Sequence, residues 1–180
     1  LAAADLLVAF NQRSLLRLDR SASAVDSARV RVSLHYMLHH FATRLGAQLF
    51  GNLAALHGQL LKAYRKQCPN GWPSGPNDGY FFLNLRNHLI EAGKSDELVS
   101  LLLDVDWLEA KNAKGLTFDL PLDFIEAKHA VRDDHPQRRL LPLIEEALRR
   151  EIYFIARHSQ DYPQALFQCL WNSCWWYDCP

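Results

Sequence analysis

Apolar residues recur at helical spacing from Leu1 to Asn11, and then the period changes. In "SLLRLDR" and "RVRVSL" the spacing is that of strands: Val30, Val32 and Leu34 alternate with Arg29, Arg31 and Ser33, which predicts two short strands around the polar connector "SASAVDSA". Beyond Ser33 helical periodicity takes over almost to the end of the chain. Leu56, Leu60, Leu61 and Tyr64 form one stripe, with Gln59, Lys62 and Arg65 opposite. The stretch "CPNGWPSGPNDG" holds three prolines and three glycines in twelve residues, which ends that helix and predicts a rigid connector whose Trp72 folds back onto the core.

Asp78 is placed to cap the next helix, whose core face is Phe82, Leu85 and Leu89, and Gly93 stands where a left-handed glycine closes it. Ser95 starts a further helix with Asp96 and Glu97 in the first turn, where the helix dipole favours acids, and Leu98, Leu101 and Leu102 bury it. A short helix follows Asp104 through Trp107 to about Ala113 and stops at Gly115. Two more are expected near residues 121–131 and 137–157, the second begun or bent at Pro142, and "DYPQALFQCLW" reads as a last helix with Pro163 in its first turn.

The expected fold is therefore mainly α. Residues 1–46 read as the C-terminal part of a winged-helix unit with a two-stranded β-hairpin as its wing. Residues 47–133 read as a multi-helix, antiparallel, solenoid-like helical domain, and residues 134–180 as a helical extension of it.

The 180 residues, 49% apolar and 22% charged, have ordinary globular composition. Twenty basic side chains balance twenty acidic ones, so net charge draws the chain to neither nucleic acid nor anionic lipid. Apolar runs such as "LVSLLLDVDWL" are broken by acids short of the roughly 20 residues of a membrane span, and a soluble, cytoplasmic protein is expected. The only methionine is Met37 and no signal peptide is visible, so the sequence reads as an excised piece of a longer protein. Its end, "LWNSCWWYDCP", carries three tryptophans in its last ten residues. Phe167, Leu170, Trp171, Trp175 and Trp176 are too many large apolar side chains for a short terminal segment to bury against itself, which predicts an interface there.

Candidate chemistry is sparse. In "VSLHYMLHHF" His35 and His39 stand four apart, as two zinc ligands on a helix do, with His40 beside them. A zinc-protease helix also needs a glutamate after the first histidine, where Tyr36 stands, and a third ligand downstream. Cys68, Cys169, Cys174 and Cys179 lack metal-ligand spacing and read as buried reduced thiols. No phosphate-binding glycine loop, calcium loop or serine-nucleophile motif is present. Glu145 and Glu146 read as a solvated helix face. No metal site and no catalytic constellation is expected.

The segment "LLKAYRKQCPNGWPSGPNDGYFFLNLRNHLIEAGKSDELVSLLLDVDWLEAK" closely resembles the helical domain of apoptotic protease-activating-factor-like signalling ATPases of the NB-ARC and NACHT kind, especially their bacterial members. The resemblance is carried by the aromatic run after the loop, the His-Leu followed by Glu-Ala-Gly, and "LLLDVDWLEAK". Upstream, "SLLRLDR" and "RVRVSLHYMLHHF" are similar to the end of the winged-helix domain that precedes this module, including its Leu-His-Asp signature. The tail resembles, less specifically, the stretch leading into WD-repeat propellers.

This resemblance implies a non-catalytic regulatory fragment without a cofactor of its own, coupling a nucleotide switch to a C-terminal WD-repeat-type sensor. ADP or ATP would bind the parent protein. Partners would be the adjacent ATPase and WD-repeat domains of the same chain and other copies of the parent. By position His35 is the signature histidine that reaches the β-phosphate of ADP, and an imidazole at a helix start suits that role. Tyr36 and His40 stand where the family usually carries acids, which implies a shifted on/off equilibrium. The competing reading is a nucleic-acid-binding winged helix, since residues 1–45 hold six arginines against three aspartates, with Arg17, Arg20, Arg29 and Arg31 about the wing.

Overall fold

The computed structural model describes residues 3–12, 16–20, 30–34 and 36–175, and they fall into two compact units, Leu1–Leu53 and Ala54–Pro180. The first contains α1 (Ala3–Gln12), β1 (Leu16–Arg20), β2 (Val30–Leu34) and α2 (Tyr36–Phe50). β1 and β2 pair antiparallel, Leu16 opposite Leu34 and Arg20 opposite Val30, which sets Asp19 across from Arg31. Leu16 is buried while Arg17 and Ser33 are exposed, as strand alternation requires. The connector and Arg29 lie outside the described residues. Along α2, Tyr36, Met37, Phe41 and Leu45 are exposed within this unit.

The second unit is entirely helical among its described residues. It comprises α3 (Leu53–Arg65), α4 (Phe81–Glu91), α5 (Ser95–Leu102), α6 (Val105–Ala113), α7 (Leu120–Ala130), α8 (Leu140–His158) and α9 (Ala165–Cys174), with single 3-10 turns at Trp72–Ser74 and Thr117–Asp119. The helix ends follow from local chemistry. The Asp78 carboxylate accepts the backbone N–H groups of Tyr80 and Phe81 at 2.8 and 2.7 Å, and Asp104 accepts that of Asp106 at 3.0 Å, so each satisfies donors left open at a helix start. At the other ends Gly93 (φ 68°) and Gly115 (φ 76°) take left-handed conformations. Lys94 N–H then reaches Leu89 O at 2.9 Å and Leu116 N–H reaches Lys111 O at 3.3 Å, closing both helices with the same six-to-one bond. Pro142 sits in the first turn of α8, where no donor is lost. Pro163, expected in the first turn of the last helix, lies ahead of it, since α9 begins at Ala165 with Gln164 as its N-cap.

The core is aromatic at one end and aliphatic along its length. The Phe82 ring stacks on Trp107 at 5.1 Å, and Phe81 meets Trp107 edge-on at 5.9 Å and Tyr64 at 5.0 Å. Leu89, Leu102, Leu120, Leu141, Ile155 and Leu166 are fully buried. The contacts divide the chain between Leu53 and Ala54. Leu141, Ala147, Leu148, Ile155, Leu166 and Leu170 share one core with α4 to α7, because the apolar stripe of α8 has no other face to bury against.

Candidate functional site

α9 has two apolar faces, and only one is used by the fold. Ala165, Leu166 and Leu170 pack into the core. Phe167, Trp171 and Trp175 stand four apart on the outer side, 43%, 55% and 61% exposed, with ring centroids 5.9 and 6.2 Å from one to the next. They form an aromatic ladder along one edge of the unit. Three such side chains, each able to bury 150–250 Å², leave on the order of 300 Å² of apolar surface open, the size of the largest patch on an ordinary monomer. A second apolar area lies where Phe118, 5.8 Å from Tyr153 of α8, stands near the start of α7, with Leu122 and Ile125 exposed along the same helix.

These surfaces rest on a braced interior. Lys111 Nζ donates to Asp123 Oδ2 at 2.5 Å and Arg86 Nη1 to Asp123 Oδ1 at 2.6 Å, and Arg86 Nη2 continues to Glu126 at 3.0 Å. The lysine and aspartate side chains are 1% exposed, the arginine 12%, so one carboxylate ties α4, α6 and α7 together. Burial pushes the Asp123 carboxyl upward, and Lys111 and Arg86 oppose it. A second polar chain joins α3 to α4: His57 Nδ1 lies 2.7 Å from His88 Nδ1, and His88 Nε2 lies 2.9 Å from the Tyr80 hydroxyl. The two facing nitrogens share one proton, since one must donate and the other accept. Burial, and next the His57 charge, hold the His88 imidazole below its ordinary pKa.

Of the residues singled out in the sequence, Phe167, Trp171 and Trp175 come together as the ladder, whereas Trp176 lies outside the described residues. His35 does too, so its place relative to a nucleotide is not described. His40 and Tyr36 are exposed on α2. Among the described residues no three His, Cys, Asp or Glu side chains cluster as metal ligands would. Cys68 is buried and Cys169 and Cys174 half-buried, and burial raises all three thiols. Cys179 lies outside the described residues. No helix among them is long and apolar enough to cross a membrane.

The ion network and the histidine pair escaped sequence reasoning. Their signal was present. Lys111 lies four residues from the core position Trp107, and Asp123 falls between Leu120 and Phe124, so each places a charge on an apolar stripe.

No curated protein and no solved structure matches the chain. The family model of the APAF-1 helical domain matches residues 53–157, from the first residue of α3 nearly to the end of α8. That stretch takes in the capped α4 to α6 module, the buried ion network and the long amphipathic α8. Since it also spans more than half of the chain, the protein belongs to the APAF-1 helical-domain family.

Proposed function

We propose that this chain is a non-catalytic adaptor from a signalling ATPase, coupling a nucleotide switch on its N-terminal side to a sensor of the WD-repeat type on its C-terminal side. The observation that carries the reading is the family match over residues 53–157. It covers a helical unit that keeps an aromatic ladder open on the helix just beyond the matched stretch. An adaptor works by packing. Helices tied through one core and one buried carboxylate move together, so a change of contact at one edge biases the other.

In this reading residues 1–46 are the end of a winged-helix domain, and His35 contacts the β-phosphate of ADP in the parent protein. The chain itself needs no cofactor, and its partners are the ATPase and sensor domains of the same polypeptide, with self-assembly of the parent a further consequence. The ladder of Phe167, Trp171 and Trp175, with Trp176, is the seat of the sensor-side contact.

The test compares the 180-residue chain with the parent polypeptide carried through its next C-terminal domain. The short chain is expected to bind a hydrophobic dye and to self-associate, and the longer one to do neither. Equal dye binding by the two, or loss of binding only on removing residues far from α9, would overturn the assignment of the ladder.

A further inference from the structure

The C-terminal half of α3 and the start of α5 enclose a groove of about 380 Å³ on the helical unit. Its floor is Leu61 and Trp72, and its rim carries Lys62 and Arg65 from α3, Lys66 just past that helix and Lys94 just ahead of α5, against the single acid Glu97. Glu97 is fully engaged. It accepts the Trp72 indole N–H at 3.1 Å and Lys94 Nζ at 2.9 Å and pairs with the Arg65 guanidinium, which lies 3.9 Å above the Trp72 ring. Lys62 and Lys66 are exposed and have no acidic partner among the described residues. Four cations therefore face one carboxylate over an apolar floor.

Fold stability explains only part of this charge. Lys62 and Arg65 lie in the last turn of α3, where cations suit the helix dipole. Lys66 and Lys94 come from beyond that turn and from another wall, and a concave site with a low-dielectric floor concentrates the positive potential. We propose that this groove is a docking site for an acidic peptide segment, a run of aspartates or glutamates from another domain or protein. Lys62 lies in the last turn of α3, Lys66 just past its end and Lys94 just ahead of α5, so the cations are spread along the rim. Cations spread in this way suit a string of carboxylates better than one compact phosphate. Glu97 already demonstrates the mode of binding, one carboxylate held by a guanidinium, an ammonium and an indole N–H. A dianion has no open helix end to use, because Asp96 and Glu97 occupy the first turn of α5.

The experiment is anisotropy of a fluorescein-labelled peptide alternating glutamate with leucine, titrated with the 180-residue chain at low and high salt. A glutamine version serves as the uncharged control, and inorganic phosphate and a duplex oligonucleotide as competitors. The glutamate peptide is expected to bind with an affinity that falls with salt, and the glutamine peptide not to bind. An exposed charge pair contributes a factor of roughly 1.4 to 5, and reversal adds a repulsion of similar size, so Lys62→Glu with Lys66→Glu should weaken binding on the order of tenfold or more. Lys62→Arg with Lys66→Arg should bind like the wild type, and circular dichroism should show both variants folded, since the lysines are exposed. Equal binding of the glutamine peptide, indifference to the charge reversal, or displacement by phosphate or the oligonucleotide at concentrations below the peptide's own Kd would overturn the proposal.

Discussion

Replacing Asp123 by alanine tests how the helical unit is held together. The substitution leaves the Lys111 ammonium, 1% exposed, without the acceptor at 2.5 Å and strips Arg86 of its contact at 2.6 Å. Arg86 keeps Glu126 at 3.0 Å and Asn87 at 2.8 Å, and at 12% exposure it can reach water. The loss therefore falls chiefly on Lys111. Breaking a buried pair by removing one partner destabilises by about 3–5 kcal/mol, a large part of the roughly 5–15 kcal/mol of a typical domain. For a unit of this size that corresponds to a fall in Tm of roughly 10–25 °C. Urea unfolding followed by tryptophan fluorescence and far-ultraviolet circular dichroism measures it. Removing both charges, as Lys111→Met with Asp123→Leu, should recover most of the loss, because two apolar side chains replace a pair whose desolvation nearly cancels its attraction. A loss below about 1 kcal/mol for Asp123→Ala, or a double variant no better than the single one, would show that water reaches the pair and that it does not brace the three helices.

Three further outcomes follow from particular contacts. A β-carbon at Gly75 would fall 2.1 Å from the buried Phe81 ring, so Gly75→Ala should destabilise by about 1–3 kcal/mol through overpacking, and an unchanged urea midpoint would contradict it. Because the folded unit holds the His88 pKa down, its stability should be full above about pH 6.5 and fall as the pH drops through that value toward the lower folded one, by up to about 1.4 kcal/mol per pH unit. His88→Gln should flatten that fall, and an equal slope in variant and wild type would refute the assignment. Phe167→Ser with Trp171→Ser should lower dye binding by the chain at little change in Tm, since both side chains are exposed, and a large loss of stability would mean that the ladder belongs to the core.

What the sequence revealed, and what it hid, divides along the range of the interactions. Caps and stops were legible because they are local. Asp78, Asp104, Gly93 and Gly115 act within a turn of their own position and do in the fold what their spacing predicted. The core faces of α4 and α5 were legible for the same reason, since helical period alone brings Leu85 and Leu89, or Leu98 and Leu102, to one side. The packing of α8 and α9 against the preceding helices was not, because it depends on which partner the stripe of α8 finds across the chain. The same limit hid His57 with His88, 31 residues apart, and Arg86 with Asp123, 37 apart. The aromatic end of the chain was read as one interface, and the fold sorts it, with Leu170 buried and Phe167, Trp171 and Trp175 outside.

The central claim, that the helical unit transmits between a nucleotide switch and a C-terminal sensor, is tested most directly by ADP release from the full-length parent. Dissociation of a fluorescent ADP analogue would be followed in the wild type and in a variant with Phe167, Trp171 and Trp175 changed to serine. If contact at the ladder is coupled to nucleotide binding, loosening it must change ADP affinity although no altered residue lies in the matched stretch, and typical couplings of about 1–3 kcal/mol correspond to roughly 5- to 150-fold. A shift of that order with both flanking domains still folded is the predicted result. Identical ADP dissociation in the two proteins would contradict the adaptor role.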